Sequence, residues 1–177
     1  MLAKDGVPTE EDIKRISPPK ERLEKGPVAI IECFQEIPCD PCYTSCPKGA
    51  ILPFPNINAL PEIDFELCDG CSLCVSACPG IAIFVVDLTY SDKLALLKLP
   101  HEFAPLPKKG EKARLLNRKG EIVGEGEVVR AIKFKDKTSV VWVTAPKELA
   151  MEVRAIAPPA YEEENELREL VEGELSQ

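Results

Sequence analysis

The sequence predicts an α+β fold. A pseudo-twofold unit near the N-terminus is followed by a small β-rich extension and an acidic helix or tail. Three observations predict it. The segments "SCPKGAIL" and "ACPGIAIF" each run from a cysteine–proline pair into an apolar strand, as the two halves of an internal repeat do. Short Val- and Ile-rich runs bounded by Pro, Gly and Asp recur on both sides of position 90. From Tyr161 onward, seven glutamates and one arginine surround Leu167, Leu170, Val171 and Leu175 at helical spacing.

Residues 1–27 read as an N-terminal arm. Thr9 is placed to cap a short helix, "EEDIKRI", whose first turn is acidic, and Pro18-Pro19 stops it. Residues 28–89 form the cysteine unit, with "VAIIECF" and "AIFVVDL" as buried strands. Between the cysteine motifs, "ILPFPNINALPEIDFEL" suits an extended excursion with turns. Residues 90–157 read as a small β-rich docking domain, with strands around the turn Arg118-Lys119-Gly120 and a half-buried strand "SVVWVTA". Pro146 fits the first turn of a short helix, "KELAMEV". Residues 158–177 read either as a solvated acidic tail or as a docking helix whose apolar stripe needs a partner groove.

Composition narrows the function classes. A net charge of −8 argues against nucleic acid as a partner. No apolar run approaches the ~20 residues that span a bilayer, and "MLAKDGVPTEEDIKR" lacks the apolar core of a signal peptide. These features predict a cytoplasmic protein, where clustered cysteines bind metal more often than they pair as disulfides. Abundant Glu, Lys and Pro with scarce Gln and Met is a thermophilic pattern.

All eight cysteines lie between positions 33 and 78. Cys68, Cys71, Cys74 and Cys78, followed by Pro79, match C-x2-C-x2-C-x3-C-P, an iron–sulfur run. Three thiolates spaced two residues apart each reach a different iron of one cube, Asp69-Gly70 supplying the turn. The fourth, beside a proline expected to open a helical segment, points to the other cluster. A zinc ribbon needs two separated CxxC knuckles, and the third cysteine here crowds a tetrahedral site. The first motif, Cys39-x2-Cys42-x3-Cys46-Pro47, reproduces only the last three positions; its first ligand is expected at position 36, which is Glu36. Cys33 either reaches back across "FQEIP" to complete a second [4Fe–4S] cluster, or is an ordinary buried cysteine. In that second case the site has three thiolates and a [3Fe–4S] cluster, or Glu36 on its fourth iron. Ligand parity favours Cys33, since two cubes need eight thiolates. Crossed ligation then places Cys33, Cys39, Cys42 and Cys78 on cluster 1, and Cys46, Cys68, Cys71 and Cys74 on cluster 2.

Residues 33–85 resemble bacterial two-cluster ferredoxins, departing from them in the lengthened loop after Cys33. The resemblance implies a compact ferredoxin-like (βαβ)2 dicluster unit with clusters close enough for rapid electron hopping. More widely, "RLEKGPVAIIECFQEIPCDPCYTSCP" and "PEIDFELCDGCSLCVSACPGIAIFVVD" look like the small iron–sulfur subunits of flavin-dependent amine or amino-acid dehydrogenases, of the proline or hydroxyproline type.

The expected function is an electron-transfer subunit of a hetero-oligomer, relaying single electrons between a flavin-containing dehydrogenase subunit and an external acceptor. A freely diffusing dicluster ferredoxin and a cluster-based redox- or oxygen-responsive regulator are the alternatives. No catalytic set is visible for the chain alone: "GEGE" around Gly124 and Gly126 lacks dinucleotide-binding spacing, and His101, the only histidine, reads as a surface or loop residue. Ile51, Leu73, Val75, Ile81 and Ile83 are the candidate shields of the clusters.

Overall fold

The computed structural model describes residues 6–158, so most of the acidic stretch at 158–177 lies outside the described residues. The chain enters through helix α1 (Glu10–Ile16), closed by a reciprocal capping box. The Asp12 amide donates to Thr9 Oγ1 at 3.2 Å, and the Thr9 amide donates to Asp12 Oδ2 at 3.0 Å. After Pro18-Pro19 comes the single turn α2 (Lys20–Leu23).

Seven strands follow: β1 (Val28–Ile31), β2 (Ile83–Asp87), β3 (Leu94–Pro100), β4 (Lys112–Leu116), β5 (Ile122–Lys133), β6 (Ser139–Pro146) and β7 (Ala155–Ile156). They form one antiparallel sheet in the order β1-β2-β3-β6-β5-β4-β7. Position 90 falls in the β2–β3 turn, and pairing continues across it from β2 to β3. The excursion between β1 and β2 carries two short helices, α3 (Pro41–Thr44) and α4 (Leu73–Ala77), and an isolated antiparallel bridge between Ile51 and Ile63. Pro146, the last residue of β6, precedes a 3-10 turn at Lys147–Leu149 in place of the longer helix expected from "KELAMEV".

The period-two geometry of strands divides the apolar residues between two layers. Val28 and Ile30 of β1, Phe84 and Val86 of β2, Leu97 and Leu99 of β3, and Val141 and Val143 of β6 pack in one core with Leu115, Val128 and Val153. Their alternates, Ala29, Ile31, Ile83, Val85 and Val140, pack in the second core with Ile51, Val75 and the cysteines. Strand β1 is therefore buried on both faces, which explains its unbroken apolar run. The sheet is a wall with an apolar core on one side and the cysteines on the other, Cys68 packing against both cores.

Where β5 crosses β6, the backbones approach closely: a Cβ on Gly126 would lie 2.0 Å from the Thr144 carbonyl oxygen. Gly126→Ala must push two paired strands apart, and it is expected to cost about 3 kcal/mol, the upper range of overpacking. Chemical denaturation checks this as a lowered midpoint with an unchanged slope; wild-type stability would contradict it.

Candidate metal centre

Eight free cysteines surround two concavities on the second face of the sheet. Cys33, Cys39, Cys42 and Cys78 line one, among Ile31, Ile37, Phe54 and Ile83. Cys46, Cys68, Cys71 and Cys74 line the other, with Ala29, Ile51 and Ile63 as its apolar wall. Each concavity thus draws three cysteines from one motif and one from the other. Glu36 lines neither; it faces a separate groove with Leu52, Pro53 and Asn56.

Local structure explains these positions. Cys33 lies two residues past β1, and the loop that follows is anchored by the Cys39 amide, which donates to the Ile57 carbonyl at 3.1 Å. Pro41 at the first turn of α3 costs no hydrogen bond there, and the turn buries Cys42. In the second motif, Asp69 Oδ1 accepts from the Cys71 amide at 3.1 Å. Gly70 has φ +64°, and a Cβ there would meet Pro27 Cβ at 2.5 Å, so both backbone sign and space call for glycine. Helix α4 ends at Cys78, which is extended (ψ 111°). This reverses the expected order of helix and proline: the helix precedes Pro79, because a residue before proline avoids the helical region.

The donor set suits an iron–sulfur cluster. Burial pushes the thiol of Cys42 up to about 11 and that of Cys74 up to about 12, and raises Cys33, Cys39 and Cys71. Such thiols are soft donors in apolar pockets, and ligation to iron would take the place of their protons. Among the described residues, no three His, Cys, Asp or Glu side chains are placed to hold a single metal ion. A cube accepts each thiolate at its own corner and does not require that convergence. Backbone amides already address two of the sulfurs, Ala29 to Cys68 Sγ at 3.4 Å and Ala82 to Cys78 Sγ at 3.5 Å.

Charged residues hold the frame. Arg22 donates to four backbone carbonyls, those of Phe65, Gly26, Pro27 and Cys68, and so ties the N-terminal arm to the second motif. Lys98 reaches from β3 to the Gly70 carbonyl. Burial lowers its pKa, while Cys71 and Asp87 act to raise it. At the end of β1, Glu32 is clasped by Arg118 at 2.7 Å and Arg154 at 2.6 Å. Burial acts to raise the Glu32 carboxyl, but the hydrogen bonds and charges of the two guanidinium groups hold it below the usual range. At the rim of the Cys68 concavity, Lys48 pairs with Asp69 of the second motif at 3.1 Å.

Three of the five expected shields, Ile51, Val75 and Ile83, are buried beside the cysteines. Leu73 and Ile81 are not: they are 41% and 45% exposed, Leu73 as the first residue of α4 and Ile81 in the turn that follows Cys78. His101, expected as a surface or loop residue, lies outside the strands but is buried, which corrects the surface reading. Its amide donates to the Ser139 carbonyl at 2.9 Å, continuing the β3–β6 pairing, and its ring meets Phe103 edge-on. Burial keeps its pKa below the ordinary value. Arg22, Glu32, Lys98 and Arg154 carry no motif. The signal for Glu32 and Lys98 is a single charge inside an apolar strand, in "VAIIEC" and "LALLKLP".

Residues 61–83 match the Fer4 family, a 4Fe-4S binding domain, and this segment contains all four cysteines of the second motif. The chain thus carries an iron–sulfur domain of ferredoxin type. Over 54 residues it is 43% identical to pyruvate synthase subunit PorD of Methanocaldococcus jannaschii, covering 30% of this chain and 60% of that one. Over 52 residues it is 35% identical to the ferredoxin-type protein NapF of Escherichia coli K12, covering 28% of this chain and 32% of that one. It is 40% identical over 47 residues to PorD of Methanothermobacter marburgensis, covering 27% of this chain and 51% of that one. The chain therefore spans about a third to three-fifths of these relatives. No solved structure matches it. No helix among the described residues is long and apolar enough to cross a membrane.

Proposed function

We propose that this chain is the electron-transfer subunit of a larger oxidoreductase, holding two [4Fe–4S] clusters in a ferredoxin-like (βαβ)2 unit. Cys33, Cys39, Cys42 and Cys78 would hold one, and Cys46, Cys68, Cys71 and Cys74 the other. The observation that carries this reading is the division of eight thiols into two concavities of four, each shared between the motifs. Such clusters exchange single electrons with little structural change. The protein supplies soft ligands, apolar walls that keep water out, and amides directed at sulfur.

The partner we favour is a flavin-containing dehydrogenase, on the likeness of the wider chain to the small subunits of such enzymes. A flavin passes electrons singly, so one-electron centres are a natural outlet. Similarity to a protein named as a pyruvate synthase subunit favours a second reading, a complex that acts on pyruvate. Native purification with identification of copurifying chains and bound flavin separates the two. A flavoprotein held through high salt is the expected result. A flavin-free partner with pyruvate-dependent reduction would favour the second reading, and a fully functional lone carrier would overturn the subunit assignment.

A further inference from the structure

The two concavities differ in charge. The residues lining the Cys33 concavity include no charged side chain. The lining of the Cys68 concavity includes one ion pair, Lys48 with Asp69 at 3.1 Å, and the Cys68 loop is gripped from below by two further, buried cations. Arg22 donates to the Cys68 carbonyl at 2.6 Å, and Lys98 Nζ donates to the Gly70 carbonyl at 2.5 Å. Lys98 is 8% exposed, its ammonium lies 4.4 Å from the centroid of the Trp142 ring, and Trp142 is its cross-strand partner in β6. The other buried charge group, Glu32 with Arg118 and Arg154, sits on the far side of the sheet, where Arg154 covers the Phe84 ring. Its carboxylate also cancels one of its two cations.

We propose that Lys98 is a potential-tuning residue, which raises the reduction potential of the centre held by Cys46, Cys68, Cys71 and Cys74 above that of its neighbour. The proposal rests on the two-centre reading above. Reduction places one added negative charge at a centre. A fixed ammonium beneath the loop, poorly screened because it is buried, stabilises that charge. Gly70 lies between ligands Cys68 and Cys71, so the lysine acts on one centre selectively. An electron entering the chain then rests on this centre, and the Cys33 centre is the more strongly reducing one. The residue comes from β3, outside both cysteine motifs, so the β-rich extension helps set the chemistry.

The test is a dithionite titration of the full chain with its irons in place, followed by low-temperature EPR. It compares the unaltered protein with Lys98→Met and with Lys98→Gln, which keeps a donor for the Gly70 carbonyl. The higher-potential step is expected to weaken by about tenfold or more in its one-electron equilibrium, ~59 mV per tenfold, while the other step holds. Repeating the pair in a Cys33→Ala background, where the Cys68 centre is the remaining cube, should give the same shift. Equal movement of both steps, no movement, or loss of iron in both Lys98 variants would overturn the proposal. If the unaltered chain holds about four irons, the two-centre reading fails by that count alone. The Lys98 role then stands or falls on whether the single remaining centre shifts.

Discussion

On the two-cluster proposal, Cys33→Ala is expected to lower bound iron from about eight to about seven atoms per chain and to bring up a [3Fe–4S] EPR signal. The reason lies in where the structure puts the first motif. Cys33 shares its concavity with Cys39, Cys42 and Cys78, whereas Glu36, at the position the repeat expects for a ligand, lines another groove. A cube that loses one thiolate releases the iron at that corner, and the other three corners keep theirs. Spectra and iron content identical to the unaltered protein would remove Cys33 from the ligand set. Glu36→Gln is the matching control and should leave both readings unchanged.

Glu32→Gln is expected to destabilise the folded protein by about 3–5 kcal/mol, the cost of stranding a buried charge. Glu32 and Arg154 are 8% and 5% exposed in their side chains, and Arg118 is 16% exposed. Removing the one carboxylate leaves two cations facing each other in the sheet's interior. Replacing all three residues by Met should recover most of the loss, because the desolvation cost disappears with the charges. Denaturant midpoints of the single and triple variants check this; equal loss in both would refer the effect to shape instead. The pH dependence has a fixed sign. The folded-state pKa of Glu32 is depressed below 4.5, so its contribution is present in full above that value. It is lost as pH falls through the depressed value. Acid unfolding should begin at higher pH in Glu32→Gln than in the unaltered chain.

Both experiments bear on the same stretch. Glu32 is fixed by two arginines of the extension, and its amide donates to the Ala82 carbonyl at 2.7 Å, so Cys33 projects from an anchored strand end. The lengthened loop from Phe34 to Pro38 hangs from that anchor.

How much of this was legible in the sequence depends on the range of the interaction. Helix α1 and its cap were readable because Thr9 and Asp12 meet within one turn. The strands at "VAIIECF", "AIFVVDL" and "SVVWVTA" were readable because period and β-branching are local signals. The two cysteine runs were readable from spacing. The continuity of the sheet across position 90 was not, since β3 pairs with β6 some forty residues further along and no motif marks that pairing. Neither was the burial of His101, which depends on a backbone bond to Ser139. Arg22, Lys98 and the Glu32 clasp escaped for the same reason, as each reaches across 40 residues or more to a partner of ordinary type, apart from Lys98, whose reach is 28.

The register of β3 against β6 has an electrical meaning. Lys98 faces the cysteines only because it lies opposite Trp142, while Leu97 and Leu99 lie opposite Val143 and Val141. A slip by a single residue would turn the lysine into the apolar core and bring a leucine beneath Gly70. On the proposal above, the sheet's pairing would also be its wiring: one step along the ladder would separate a polarised pair of centres from a level one.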